Sequence, residues 1–150
     1  MKTVELNLKN NGENVKVHLR LTAGGQLRLK EKYEEENTIS TLMDAINNID
    51  KTIAVFEESL NYKNNDNTIT DGEELYDLLV DNGRTGIADF AKVITDIAVA
   101  SGIINKPQAN SLVKNIGKTY DDIFKEIENT LADGEDTLEK EENEKITPTK

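Results

Sequence analysis

The spacing of the apolar residues changes once along this chain, and that change constrains the fold more than any other feature of the sequence. As far as residue 22, apolar side chains occupy alternate positions. Beyond Gly25 they recur at intervals of three or four positions, as they do on one face of a helix. The pattern predicts an α+β fold in which an N-terminal β-hairpin packs on a mainly α-helical domain.

The hairpin is predicted for residues 1–22. Its alternating apolar residues are Val4, Leu6 and Leu8 in the first strand and Val15, Val17, Leu19 and Leu21 in the second. Between the strands, Asn11-Gly12 is a turn signal because both residue types tolerate positive φ. A two-stranded hairpin is only marginally stable alone, so we expect its apolar face to contact the helices that follow.

Five or six helices are predicted after the hairpin. The first is expected to contain Leu27, Leu29 and Tyr33 and to end near Glu35, and residues 61–70, rich in Asn and Asp, are expected to form a surface loop. Residues of capping type then suggest where later helices start: Thr38, Asp50, Thr70, and either Thr85 or Gly86.

Further signals mark the ends of these helices. Thr70 and Glu73 have the spacing of a capping box. Gly83 and Gly102 stand where C-terminal caps are expected, and Pro107 fits the first turn of the last helix because it has no N–H to leave unpaired. Apolar residues continue along this last helix at Leu112, Val113, Ile116, Tyr120, Ile123, Phe124, Ile127 and Leu131.

The character of the sequence changes at residue 133. Residues 133–150 contain seven acidic and three basic residues, and their only large apolar side chains are Leu138 and Ile146. Such a segment buries too little apolar surface to offset its ordering entropy. We therefore predict one domain over residues 1–132 and a disordered acidic C-terminal tail over 133–150, with a frayed helical extension as the alternative.

The charge and composition restrict the possible partners. The chain has 29 acidic and 18 basic residues, a net charge of −11, and no local basic patch, so a nucleic-acid partner is disfavoured. It has no cysteine, which excludes disulfides and thiolate metal sites. No stretch approaches the roughly 20 apolar residues that span a bilayer. We expect a soluble cytoplasmic protein without a membrane partner.

No catalytic constellation is visible in the sequence. His18 is the only histidine, it falls on the polar face of the second strand, and no Gly-x-Ser-x-Gly motif accompanies it. The Asn-rich loop fits no calcium-binding register, because a loop starting at Asp66 has Asp71 where the turn requires glycine. The sequence predicts a non-enzymatic protein with no catalytic residue, no cofactor and no metal.

One inter-helix corner is the candidate partner-binding site. Surface loops commonly carry function, and this corner offers backbone N–H groups and an arginine, although helix punctuation explains the same residues. Its predicted contact residues are Asn82, Gly83, Arg84, Thr85, Gly86 and Phe90. Two neighbouring stripes either line a groove for an amphipathic partner helix or form the core: Leu75, Leu78 and Leu79, and Phe90, Val93, Ile94 and Ile97.

The order of these elements and several short segments carry a family resemblance. The segments include Leu19-Arg20-Leu21-Thr22, Ile39-Ser40-Thr41-Leu42-Met43-Asp44-Ala45-Ile46, Leu75-Tyr76-Asp77-Leu78-Leu79-Val80-Asp81-Asn82-Gly83 and Asp89-Phe90-Ala91-Lys92-Val93-Ile94. Over residues 3–105 the chain resembles the tail assembly chaperones of long-tailed phages and prophages of Gram-positive bacteria.

The resemblance implies a function for the whole chain. A protein of this family binds the tape measure protein transiently during tail tube assembly, and tail tube subunits, a further expected partner, then displace it. The resemblance also implies a location in the host cytoplasm and absence from the mature virion.

Two other classes stay open: a structural tail component of the virion, and a small acidic helical regulator or inhibitor of a host protein. Tube subunits are usually β-rich, so the predicted helices argue against that form of the structural class. The sequence leaves the oligomeric state open.

Overall fold

The computed structural model describes residues 2–34 and 37–146, and it describes side chains as far as residue 131. Within these ranges a hairpin of two strands precedes six helices, which confirms the predicted α+β class. The elements are β1 (Val4–Asn10), β2 (Glu13–Leu19), α1 (Ala23–Tyr33), α2 (Thr38–Ala45), α3 (Ile49–Leu60), α4 (Gly72–Asp81), α5 (Gly86–Ala100) and α6 (Lys106–Ile146).

The chain divides into two compact units, Met1–Val113 and Lys114–Lys150. The second unit begins within α6. The predicted division between residues 132 and 133 lies further along the same helix and stays a prediction.

The hairpin forms in the predicted register. β1 and β2 are antiparallel, and Val4 pairs with Leu19 at the open end. Asn11 and Gly12 at the turn have φ of 52° and 83°, as a two-residue turn between right-twisted strands requires. Alternation then directs one face inwards, where Leu6, Leu8, Val17 and Leu19 are buried.

This apolar face packs on three helices, α3, α4 and α5. The backbone N–H of Arg20, just beyond β2, also donates to the carbonyl of Ser59 in α3 at 3.0 Å. Around Phe56, which is fully buried, the hairpin and helices share one core of mostly Leu, Ile, Val and Ala side chains. The expected packing of hairpin on helices is therefore confirmed.

Asn67, in the segment between α3 and α4, covers the outer edge of β2. Its side-chain Oδ1 accepts from the N–H of His18 at 2.8 Å, and its Nδ2 donates to the carbonyl of His18 at 2.7 Å. Nδ2 also donates to the carbonyl of Leu60 at 2.9 Å. One side chain thus satisfies both backbone groups of an edge residue, as a third strand would.

The start of α1 was not predicted, and the cap of α2 was predicted one residue too late. α1 starts at Ala23, and its N-cap is Thr22, whose hydroxyl accepts from the N–H of Gly25 at 3.2 Å. In α2 the cap is Asn37 and not Thr38, since the Asn37 side chain accepts from the N–H of Ser40 at 2.9 Å.

The next two starts were also predicted at the wrong residue. α3 begins at Ile49 with Asn48 as N-cap, so Asp50 lies in the first turn. α4 is capped by Asp71 and not Thr70, because the Asp71 carboxylate accepts from the N–H of Glu73 at 2.9 Å. Asn37 and Asp71 are adjacent to the predicted caps Thr38 and Thr70, whereas Asn48 lies two residues before Asp50 and makes no side-chain capping hydrogen bond to the described residues.

The last helix begins as predicted, with Pro107 in its first turn. Asn105 and Gln108 cap it reciprocally: each side chain accepts from the backbone N–H of the other at 2.9 Å. The backbone is helical as far as Ile146. This agrees with the alternative expectation of a helical extension into the acidic segment. Side chains from 132 onwards and residues 147–150 lie outside the described part, so the predicted tail is not tested there. No described helix is long and apolar enough to cross a membrane.

Gly72, the first residue of α4, lies against the backbone of α3. A Cβ at this position would be 2.2 Å from the carbonyl oxygen of Ile53 and 3.0 Å from the nitrogen of Glu57. Because both atoms belong to a helix backbone, neither can move without shifting α3. The close approach of α3 and α4 therefore requires glycine here.

We expect Gly72→Ala to lower the free energy of unfolding by about 1–3 kcal/mol, since an added methyl group in a packed contact forces the backbone apart. Chemical denaturation followed by circular dichroism would measure it. The matched control is Gly24→Ala in the first turn of α1, where the nearest atom is the mobile end of Arg28 at 3.3 Å. Equal stability of the two variants would contradict the proposed contact.

Candidate functional site

Asn82, the first of the predicted contact residues, binds the hairpin. Its Oδ1 accepts from the N–H of Lys9 at 2.7 Å, and its Nδ2 donates to the carbonyl of Lys9 at 2.9 Å. Nδ2 also donates to the carbonyl of Leu78 at 2.7 Å. The side chain is therefore used within the chain, a role that the sequence analysis missed because β1 is 73 residues away.

Gly83 and Arg84 end α4. Gly83 has a φ of 77°, and its N–H donates to the carbonyl of Val80 at 3.0 Å. The N–H of Arg84 donates to the carbonyl of Leu79 at 2.9 Å, which completes a Schellman motif. The predicted C-terminal cap at Gly83 is confirmed, and the same pattern recurs at Gly102.

Thr85 is the N-cap of α5, one of the two residues expected there. Among the described residues its side chain makes no capping hydrogen bond. Instead its backbone N–H donates to the carboxylate of Asp89 at 3.0 Å. Since that N–H is engaged, it is not available to an anion at this helix N-terminus.

Gly86 and Phe90 line a cleft of 250 Å³, here called the corner cleft, between α3, α4, α5 and the connection from α2 to α3. Its other lining residues are Ile46, Asn47, Asn48, Ile49, Thr52, Tyr76 and Ile87. Of the six predicted residues, the structure thus brings Gly86 and Phe90 to one cavity, while Asn82, Gly83, Arg84 and Thr85 do not line it.

The wall of the corner cleft is a stack of aromatic rings. Phe90 is half-buried, and its ring lies parallel to that of Tyr76, with centroids 4.8 Å apart and an interplanar angle of 10°. Phe56 lies behind Phe90, with centroids 6.4 Å apart. Because Phe56 is buried in the core, the wall is rigidly supported.

The floor of the corner cleft joins α2 to α3. The Thr52 hydroxyl donates to the carbonyl of Ala45 and also lies 3.2 Å from that of Asn48. At the rim, Ile49 is 58% exposed and Ile87 is half-buried. The lining is mixed, with polar groups at Asn47, Asn48 and Thr52, and its aromatic wall suits an apolar side chain entering from outside.

The apolar stripes of α4 and α5 were expected either to line a groove for a partner helix or to form the core, and they do not form a groove. Five members are almost fully buried and belong to the core: Leu75, Leu79, Val93, Ile94 and Ile97. Leu78 is also buried, so only Phe90 reaches the surface. The core interpretation is confirmed because these six side chains are buried in the hydrophobic core.

A second apolar cavity of 440 Å³ lies between α2 and the start of α6. It is lined by Ile39, Ile104, Pro107, Gln108, Ser111 and Leu112. Like the corner cleft it opens to the surface and could accept an apolar side chain.

One face of α4 is strongly acidic. A surface depression of 340 Å³ is lined by Asp71, Glu73, Glu74, Asp77 and Asp81, together with Asn10 and Leu78. Among the described residues no group of His, Asp, Glu or Cys has the geometry to hold a metal ion. The face is therefore a local concentration of negative charge suited to a basic partner.

His18 lies between two carboxylates on the outer face of the hairpin. Its Nδ1 is 3.3 Å from Asp66, and its Nε2 is 3.6 Å from Glu5. Glu5 also pairs with Lys16 at 3.2 Å. Hydrogen bonding and then the charge of Lys16 lower the pKa of Glu5, with a further contribution from His18.

Four apolar residues on α6 are also exposed, and none of them is among the predicted contact residues. Of the seven large apolar side chains that are exposed within the described range, these four lie within nine positions of α6: Ile123, Phe124, Ile127 and Leu131. The signal for them was the apolar stripe of the last helix, which continues at helical spacing as far as Leu131.

Comparisons with protein-family models, with curated proteins and with solved structures give no match for this chain.

Replacing Asn82 should affect stability, because its amide satisfies both backbone groups of Lys9. We expect Asn82→Ala to lower the free energy of unfolding by about 1–2 kcal/mol, less than three lost hydrogen bonds would suggest, because water replaces the exposed ones. Asn67→Ala should cost more, since its bonds are part-buried. Denaturation curves would measure both against Asn7→Ala, an exposed position of β1. If all three variants unfold alike, neither amide holds the hairpin.

Proposed function

We propose that this chain is a non-enzymatic tail assembly chaperone that transiently binds the tape measure protein. The observation that carries the proposal is the corner cleft, a recess with an aromatic wall and a polar floor on the surface of a strongly acidic chain. The resemblance over residues 3–105 supplies the identity of the partner.

The shape of the cleft suits a single apolar anchor. A partner helix docks by inserting side chains from its apolar stripe into such recesses. The aromatic wall of Tyr76 and Phe90 offers a flat surface, and Ile49 at the rim offers exposed apolar area to a second residue of the same stripe. An amphipathic helix is thus a chemically suitable ligand.

The charge of the surface adds a preference among such helices. The acidic face of α4 belongs to the helix that also carries Tyr76. A partner with basic residues beside its apolar stripe would meet apolar and acidic groups together. Electrostatic attraction of this kind speeds association and is weakened by salt.

A small recess also suits a temporary complex. Burial of one isoleucine or leucine contributes only about 1.5–3 kcal/mol. Few such anchors give weak binding that tail tube subunits can displace. A permanent virion component would instead be expected to bury a larger and more continuous apolar surface.

The test is co-expression of the chain with the tape measure protein encoded nearest to it, followed by measurement of soluble and co-purified tape measure. We expect Ile49→Glu to weaken the interaction by about tenfold or more. An isoleucine that becomes buried against the partner contributes more than about 1.4 kcal/mol, which corresponds to a factor of ten in affinity. Leu27→Glu is the matched control, because Leu27 is similarly exposed, at 65%, but lies on α1 away from the cleft.

Each outcome has a distinct meaning. If the native chain and Leu27→Glu both retain soluble tape measure protein and Ile49→Glu loses it, the chaperone function and the role of the cleft in binding are both supported. Insoluble tape measure beside well-folded native chain would sink the chaperone function and favour the regulator class. Recovery of the protein from purified particles would favour a structural tail component.

A further inference from the structure

We propose that the exposed stripe of α6 pairs with the same stripe of a second copy of this chain, in an antiparallel arrangement. The seam consists of Ile116, Tyr120, Ile123 and Ile127, at successive intervals of four, three and four residues. This is the spacing at which two helices pack side by side along a narrow seam.

The exposure of this helix indicates that a partner is required. Every residue from 121 to 131 is exposed, including Ile123 at 41% and Ile127 at 45%, while the other two seam residues, Ile116 and Tyr120, are half-buried. Most helices in proteins are stabilised mainly by packing of an apolar face. A contiguous apolar stripe of this kind marks an interaction surface.

The spacing of the seam is symmetrical about its centre. When a second copy runs in the opposite direction, Ile116 meets Ile127 of the other copy and Tyr120 meets Ile123. All four seam positions are then filled by large apolar side chains in one register. The same register repeats each contact twice, as a two-fold symmetric pair requires.

The distribution of charge favours the antiparallel direction. Residues 114–120 contain two lysines and no acidic residue, whereas residues 121–131 contain four acidic residues and one lysine. Antiparallel pairing places the basic end of each copy beside the acidic end of the other. Parallel pairing would bring like charges together at both ends.

Gly117 provides a second, independent argument for this register. Glycine within a helix costs about 1 kcal/mol relative to alanine, and no described atom lies within 4 Å of where its Cβ would be. In the antiparallel register the side of the seam that carries Gly117 faces the side that carries Phe124 of the second copy. The open space at Gly117 then accommodates a ring that is 49% exposed in the single chain.

Sedimentation equilibrium of the full chain, up to its highest soluble concentration, tests the pairing. We expect a monomer–dimer equilibrium that Ile123→Glu shifts towards monomer by about tenfold or more in the dissociation constant, while Leu27→Glu leaves it unchanged. Because both residues are exposed, neither variant should disturb folding, and circular dichroism would verify this. A native chain that stays monomeric, or a dimer that Ile123→Glu does not weaken, would overturn the inference.

The direction of pairing can be read from disulfides, because the chain has no cysteine of its own. We expect an equal mixture of the single variants Ile116→Cys and Ile127→Cys to form a mixed disulfide on oxidation. Neither variant alone should cross-link, because positions 116 and 127 are about 17 Å apart along a helix and a disulfide spans at most about 7 Å between Cα atoms.

Two other results would count against the inference. Disulfides within each single variant would indicate parallel pairing. A monomer that loses its tape measure partner in Ile123→Glu would assign the stripe to that partner. Because the seam and the corner cleft are different surfaces, the dimer can fail without affecting the proposed function, and the reverse also holds.

Discussion

The unit Met1–Val113 depends on the attachment of its two-stranded hairpin to its helices. A hairpin alone cannot bury its apolar face and leaves both edges unpaired. Here α3, α4 and α5 cover the face, while two asparagine side chains occupy the edges, Asn67 beside His18 and Asn82 beside Lys9. Each amide supplies one acceptor and one donor to a single edge residue. The hairpin therefore obtains the backbone partners of a larger sheet from loops.

The same attachment determines where the corner cleft lies. Asn82 both ends α4 and binds β1, so the turn into α5 starts from a fixed point on the hairpin. The Schellman motif at Gly83 then reverses the chain, and Phe90 stacks on Tyr76 one helix earlier. The corner predicted as a contact surface is thus a structural joint whose far side, at Gly86 and Phe90, forms a recess. Residues 82–90 look like one motif in the sequence, but Asn82 attaches α4 to the hairpin, whereas Gly86 and Phe90 line the cleft.

The surface separates charge from apolar area in a way that suits temporary binding. The acidic face of α4 concentrates negative charge on one surface, which is complementary to a basic partner. The exposed apolar residues are confined to the corner cleft, the stripe of α6 and a few isolated positions among the residues described. The corner cleft and the seam of α6 share no residue. The proposed binding of a partner helix and the proposed pairing with a second copy can therefore occur independently.

Local physical chemistry in the sequence was enough to predict the hairpin, the helical remainder, the C-terminal caps at Gly83 and Gly102 and the place of Pro107 in the first turn of α6. The spacing of apolar residues, the turn residues and the glycines that adopt positive φ depend only on a few neighbouring positions, so they can be recognised without knowing the fold. The N-caps at Asn37, Asn48 and Asp71 were missed by one or two residues, since adjacent side chains compete and packing decides. Only the tertiary structure decided that Leu75 and Ile94 are core, that Asn67 and Asn82 clamp distant strands and that Ile49 is exposed. These outcomes depend on contacts between residues that are far apart in the sequence, and a local sequence pattern does not show which distant residues will come into contact.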